Sequence, residues 1–372
     1  MTNSYKIIEK YKSEIMKSFT TLEGLAEPSF QEYKTTQFII DELSKAGIKS
    51  ITNLNTGCFG TLNFNKDTTL AIRADIDALP YNDEKTVYRH LCGHHFHSTA
   101  LLETIKIIVK EKLKLNSNLR FIFQPAEERV SGAEFIIKNG GMENVTEIYG
   151  LHVDPELFIG EIYAEKGPVM AGARHFSITM SGKSTHAAYP HLGTDPIVAS
   201  ANFIQTAQAI VSRMVDPLKS AVLTFGSING GSAHNIIPES VTIKGTFRFL
   251  DDENSMLIET KLKNILSSID KSFGTVSNIE IDKGTYPVCN DDSLSHKIKS
   301  ILQRDKFKFI TSPHLSMGGE DFCFYGKLAP SLFIKFGTRT NDKIIPIHNK
   351  EFKVSAEPLF DAIYMWIKIL TH

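Results

Sequence analysis

Three stretches decide the fold: Thr69-Leu70-Ala71-Ile72-Arg73-Ala74-Asp75, an apolar-periodic run from Thr99 to about Lys112, and Leu119-Arg120-Phe121-Ile122-Phe123-Gln124. The first and third are short, mostly apolar and rich in residues that suit strands, whereas the middle run repeats with helical spacing. Glu147-Ile148-Tyr149-Gly150-Leu151-His152 and Ser331-Leu332-Phe333-Ile334-Lys335-Phe336 read as further strands, and Gly132 to Asn139 as a helix stopped at Gly140. Strand–helix alternation of this kind predicts an α/β sheet with helices on both faces. Ser29-Phe30-Gln31-Glu32 has the form of a capping box. It predicts a helix from Ser29 as N-cap to about Ala46, with Gly47 as the stop.

Polar residues stand at or just after the strand ends. Asp75 and Asp77 follow the first strand, Glu127 and Glu128 the second, and His152 closes the third. Open α/β sheets gather ligand sites along the carboxyl edge of their strands, so residues far apart in sequence are expected to converge there.

The middle of the chain follows a different pattern. Phe176–Met180 alternates as a strand, and Asp195-Pro196 opens a helix to about Val215 with the aspartate as N-cap and the proline at N1. Strands at about Val222–Ile228 and Val241–Arg248, a helix at about Asn254–Ser268 and a strand at about Ile279–Lys283 complete a β-α-β-β-α-β order. That is the order of a ferredoxin-like α+β unit, expected here as a separate domain inserted in the first.

A chain of 372 residues is too long for one ordinary core, which also predicts two domains. The net charge of −1 implies no nucleic acid or other polyelectrolyte partner. No stretch approaches the length of a transmembrane helix, and the polar N-terminal stretch lacks the apolar core of a signal peptide. Four scattered cysteines (Cys58, Cys92, Cys289, Cys323) form no disulfide framework, so a cytoplasmic location with reduced thiols is expected.

The segment His90-Leu91-Cys92-Gly93-His94-His95-Phe96-His97 packs four imidazoles and a thiol into eight residues. These are the donors that Zn²⁺ and similar ions prefer. No zinc-finger half follows nearby, so further ligands have to come from elsewhere in the chain, as in a catalytic site.

Eight motifs in order resemble the M20 metallopeptidase and amidohydrolase family: Arg73-Ala74-Asp75-Ile76-Asp77-Ala78-Leu79-Pro80, Cys92-Gly93-His94, Gln124-Pro125-Ala126-Glu127-Glu128, Gly150-Leu151-His152, Gly182-Lys183-Ser184-Thr185-His186-Ala187-Ala188, Asn235-Ile236-Ile237-Pro238, Gly318-Gly319-Glu320-Asp321-Phe322 and His348. The branch is similar to hippurate hydrolases, plant auxin–amino-acid conjugate hydrolases and N-acetyl-diaminopimelate deacetylases. The resemblance implies a zinc-peptidase-like α/β catalytic domain with a mixed sheet and flanking helices, over residues 1–172 and 283–372. It also implies a lid and dimerisation domain at 173–282. Two divalent ions per subunit are implied (Zn²⁺ or Mn²⁺, with Co²⁺ or Ni²⁺ possible), held by Cys92, His94, Glu128, His152 and His348. Glu127 is implied as general base, and Asp77 as the residue orienting a ligand. His186 is implied to stabilise the oxyanion across a homodimer, with Asn235, Arg248 and Gly319 near the substrate. The expected reaction is cleavage of a small-molecule N-acyl amino acid or amino-acid conjugate to a carboxylate and a free amine. A di- or tripeptidase of the same family, and a degenerate homologue that only binds metal or ligand, are the alternatives.

The chain departs from the family pattern in three places. His95 stands where the related sequences have aspartate, and the link from Pro80 to Cys92 is short. Glu27-Pro28-Ser29-Phe30 replaces the usual His-Pro-Glu-Leu. His90 and His97 are read as supporting residues.

Overall fold

The computed structural model describes residues 3–303 and 305–372. The chain divides into two compact units, the first comprising Met1–Val169, Cys289–His314 and Asp321–His372, the second Met170–Val288 and Leu315–Glu320. The segment Leu315–Glu320, expected in the catalytic domain, goes with the second unit. Its backbone holds it there: Ala171 N donates to the carbonyls of Ser316 and Gly318 at 2.9 and 3.1 Å.

The first unit is built on an eight-stranded mixed sheet. Its strands are Ile51–Asn53 (β1), Cys58–Leu62 (β2), Thr69–Asp75 (β3), Asn118–Gln124 (β4), Glu147–Phe158 (β5), Glu161–Tyr163 (β6), Lys308–Phe309 (β7) and Ser331–Arg339 (β8). They lie in the order β1-β2-β4-β3-β5-β8-β6-β7. The four central strands, β4, β3, β5 and β8, are mutually parallel. All seven residues of β3 are buried, which explains why it reads as a near-continuous apolar run rather than an alternating one.

Helices Lys12–Gly24 (α1), Tyr33–Lys45 (α2), His94–Lys110 (α3) and Leu359–Thr371 (α4) belong to this unit. α3 buries every residue from His94 to Ile108. It starts at His94, earlier than the Thr99 read from periodicity, so the histidine cluster lies on its first turn. Gly93 precedes it at φ 85°, and a Cβ there would come within 2.5 Å of Val153 Cγ2. Only glycine meets both demands.

The capping box is overturned. Glu32, not Ser29, is the residue before α2, and it makes no side-chain cap. Ser29 Oγ instead donates to Asp77 Oδ2 at 2.7 Å, and Glu32 Oε1 accepts from Phe30 N and Ala126 N at 3.0 and 2.8 Å.

The second unit carries a four-stranded antiparallel sheet in the order Ala221–Gly230, Ser240–Phe249, Gly172–Ser181, Val276–Ile281. Its two main helices are Pro196–Ala209, extended by a π-turn at Ile210–Met214, and Asp252–Phe273. This is the ferredoxin-like arrangement. Asp195 caps the first helix by accepting from Ile197 N and Val198 N, as expected. Phe176, Ile178, Phe203, Ile243, Phe247, Ile258 and Leu262 belong to its core. No described helix is long and apolar enough to cross a membrane.

Candidate metal centre

At the carboxyl edge of the parallel strands, the first unit brings together six of the expected site residues: Cys92, His94, Glu127, Glu128, His152 and His348. Cys92 Sγ lies 3.3 Å from His152 Nε2 and 3.3 Å from His348 Nε2. His348 Nε2 lies 3.5 Å from Glu128 Oε1. His94 Nε2 faces Asp75, Glu128 and Glu127 oxygens at 3.8, 3.9 and 4.0 Å.

Among the six residues named above, three trios have donor atoms within 4.8 Å of one another: Cys92–His94–His152, Cys92–Glu128–His348 and His94–Glu127–Glu128. Cys92 is common to the first two. His94 Nε2 is buried and makes no hydrogen bond to any described residue. An orphaned imidazole nitrogen beside a thiol and surrounded by carboxylates is what a divalent cation satisfies. The residues fit a metal.

The backbone that presents them is strained. Ala126 and Val130 flank the short Glu127–Arg129 turn at φ 54° and 55°, and His348 has φ 66°. A β-branched residue in this left-handed region is a genuine outlier, and such outliers concentrate at functional sites.

The second row of contacts fixes the ring orientations. His94 Nδ1 lies 3.0 Å from both the carbonyl and Oδ1 of Asp77, which directs Nε2 into the cluster. Asp77 Oδ2 also accepts from Glu128 N at 3.0 Å. His152 Nδ1 donates to Val153 O at 2.7 Å, leaving its Nε2 lone pair toward Cys92. Val153 N donates to His97 Nε2 at 3.0 Å, so His97 Nδ1 carries the proton and donates to Asp75 Oδ1 at 2.6 Å. His97 thus bridges Asp75 and the backbone of Val153. His90 Nε2 donates to Leu22 O at 3.2 Å.

Sequence reading missed the network beneath. Arg73 Nη1 donates to Asp75 Oδ2 at 2.7 Å, Nη2 to Asp321 Oδ1 at 2.9 Å and Nε to Gln124 Oε1 at 2.8 Å. Tyr325 Oη donates to the same Gln124 oxygen at 2.9 Å. The one available signal was Arg73 itself, since a charge inside a buried strand has to be paired.

Burial and the neighbouring carboxylates dominate the electrostatics of the site. Burial pushes the Cys92 thiol well above its usual value, and Glu128 and Glu127 push it the same way. Burial would lower His94, but Asp75 and Asp77 carry it well above the usual histidine value. Burial depresses His152 to about 4 and lowers His348, so both are neutral near pH 7. Burial also lowers His90 to about 4 and His95 well below the ordinary value.

The remaining predicted residues belong to the second unit. His186 pairs with Ile236 in a two-residue strand and is exposed, and Asn235 O accepts from Ala187 N at 2.9 Å. Arg248 Nη1 lies 3.5 Å from Met317 O. A Cβ at Gly319 would stand 3.4 Å from that nitrogen, so the glycine admits the guanidinium.

Residues 71–372 match the model of peptidase family M20/M25/M40, and the chain belongs to that family. The N-acetyl-L-cysteine deacetylase of Bacillus subtilis strain 168 is 35% identical over 348 residues, covering 91% of this chain and 83% of its own length. The IAA-amino acid hydrolase ILR1-like 4 of Arabidopsis thaliana is 33% identical over 349 residues, 90% of this chain and 79% of its own. The solved Bacillus subtilis YXEP protein, a dinuclear metal binding peptidase from the M20 family, superposes with a TM-score of 0.85 at 27% identity, covering 97% of this chain and 98% of that one.

Proposed function

We propose that this protein hydrolyses the amide bond of an N-acyl amino acid or small amino-acid conjugate, releasing a carboxylate and a free amine. It is a metal-dependent amidohydrolase of the M20 family. The observation that carries the reading is the adjacency of Glu127 and Glu128 on one strained turn, with both carboxylates within 4.0 Å of His94 Nε2. One carboxylate serves the metal and its neighbour is left for proton transfer.

We assign Cys92, His94, Glu128, His152 and His348 as the residues that would hold two divalent ions. Cys and His donors suit Zn²⁺, and Mn²⁺, Co²⁺ or Ni²⁺ are compatible alternatives. When bound, such ions polarise the scissile carbonyl and lower the pKa of the attacking water. Glu127 takes the proton from that water and returns it to the leaving nitrogen, which must be protonated to depart as an amine. Asp77 accepts from His94 Nδ1–H and holds the ring so that its Nε2 lone pair would be available to a bound ion.

We assign His186 to the developing oxyanion at the site of a partner copy, and Arg248 and Asn235 to substrate recognition, with Gly319 leaving room for Arg248. A planar guanidinium suits bidentate recognition of the substrate carboxylate. This unit is also the proposed homodimer surface. Among the described residues, the strand Ala221–Gly230 is paired on one side only, and it exposes Val222 and Ile228. An open edge of this length invites pairing with another chain.

The test is a panel of N-acetyl amino acids and dipeptides offered to the metal-loaded enzyme. Hydrolysis confined to the N-acyl compounds supports the proposal. Preference for dipeptides turns the protein into a peptidase, and failure with every compound leaves a binder.

A further inference from the structure

Glu27-Pro28-Ser29-Phe30, one of the departures from the family pattern, runs through Gln31-Glu32 into α2. This segment touches both loops that frame the metal centre. Glu27 O accepts from Ala78 N at 2.8 Å, and Ser29 Oγ donates to Asp77 Oδ2 at 2.7 Å. On the other loop, Glu32 Oε1 accepts from Ala126 N at 2.8 Å, one residue before Glu127. The Glu27 carboxylate takes Thr35 N at 2.8 Å and Lys34 N at 3.2 Å, so two otherwise orphaned amides at the start of α2 anchor the segment.

Glu32 is fully buried, and its Oε2 has no hydrogen-bond partner among the described residues. Burying a carboxylate with one oxygen unpaired is unfavourable, so the other oxygen has to make strong use of its position. Oε1 accepts from Phe30 N at 3.0 Å as well as from Ala126 N, and these two residues hold left-handed backbone at φ 61° and 54°. A single oxygen thus pins two residues in a conformation that side chains disfavour and that persists only where neighbours over-determine it.

Ala126 is the residue from which the Glu127–Arg129 turn starts, with φ 54° and ψ 38°. Its backbone sets the direction in which Glu127 and Glu128 leave β4. Relaxed to ordinary backbone, it would carry both carboxylates away from their places within 4.0 Å of His94 Nε2. Ser29 acts on the opposite side, because the Asp77 oxygen it holds also receives Glu128 N at 3.0 Å.

On the roles given above to Glu127 and Glu128, we propose that the turn 27–32 is a positioning element of the metal centre. Glu32 holds the Glu127–Glu128 turn through Ala126 N, and Ser29 holds Asp77. Both act through other residues.

The test compares Glu32→Ala, which removes the acceptor, with Glu32→Gln, which keeps an oxygen for both amides. Ser29→Ala and Ser29→Thr form the second pair. Zn²⁺ affinity of the stripped full-length proteins is read by competition with a chromogenic chelator. kcat and KM are read at saturating Zn²⁺ on the N-acetyl amino acid that the wild type cleaves best. Glu32→Ala is expected to bind Zn²⁺ about 10–100-fold more weakly. It should also lose about 10–100-fold in kcat with KM little changed, as misplacement of a catalytic group implies. Glu32→Gln is expected to recover both. Ser29→Ala should weaken Zn²⁺ binding by about tenfold, and Ser29→Thr should restore it.

A folded Glu32→Ala protein with wild-type affinity and kcat overturns the proposal and leaves the turn a plain connection between helices. Equal losses in Glu32→Ala and Glu32→Gln also overturn it, since the hold on Ala126 N would then be irrelevant. If Glu32→Ala does not fold, the Ser29 pair decides, and unchanged affinity in Ser29→Ala overturns the positioning role. A wild type that binds Zn²⁺ and hydrolyses no N-acyl compound speaks against the amidohydrolase reading alone, and the affinities still decide this one.

Discussion

His94 Nδ1 and Asp77 Oδ1 stand 3.0 Å apart, with the second carboxylate oxygen of Asp77 accepting from Ser29 Oγ and Glu128 N. One carboxylate thus sets the angle of an imidazole and the backbone position of a neighbouring acidic residue. Asp77→Asn keeps the shape but removes the charge. It is expected to weaken metal binding by about 10–100-fold, read by competition with a chromogenic chelator. Unchanged affinity would remove Asp77 from the support of the ligand set.

Glu127→Gln should separate metal from chemistry. The amide keeps the volume of the side chain and loses its basicity. Metal content is expected to match the parent, while kcat falls by about 10²–10⁴-fold. Retained turnover would reassign the base, and lost metal would reassign Glu127 as a ligand.

Arg73 stands between two buried carboxylates, 2.7 Å from Asp75 and 2.9 Å from Asp321. Removing the cation leaves both acids buried without it. Arg73→Met is expected to destabilise the fold by about 3–5 kcal/mol in denaturant titration, the usual consequence of breaking a buried pair. A loss below about 1 kcal/mol, the scale of a surface pair, would contradict the buried network.

Glu32 makes the pH prediction. Burial, and then the charge of Asp77, raise its carboxyl to about 7. A carboxyl raised on folding favours the native state at low pH, and that contribution is lost as pH rises from the ordinary glutamate value through about 7. Glu32→Gln keeps an oxygen for Phe30 N and Ala126 N and cannot ionise. Its stability should therefore gain on wild type as pH rises from about 5 to about 8, by up to roughly 3 kcal/mol. A constant difference across that range would place the Glu32 titration elsewhere.

The central strands were legible because burial on both faces leaves a plain apolar run, as in β3. The candidate metal donors were legible because soft and borderline donors are scarce in the sequence, although the structure places His152 within β5 rather than at its end. Other features depend on partners that no local pattern shows. Ser29 looked like a helix cap, yet its hydroxyl is taken by Asp77, 48 positions away in sequence. The start of α3 was read too late because three histidines obscure its periodicity, while tertiary packing buries them as helix. Arg73 and Asp321 are separated by 248 positions and meet only through the sheet.

Cys92 serves two of the donor trios at once. Ions placed in those trios would therefore polarise the same sulfur, and neither could bind as an independent event. Their occupancies would be linked, so a metal titration should show interacting rather than separate affinities. Oxidation of this single sulfur would dismantle both positions together, which makes one atom the point at which the whole centre is gained or lost.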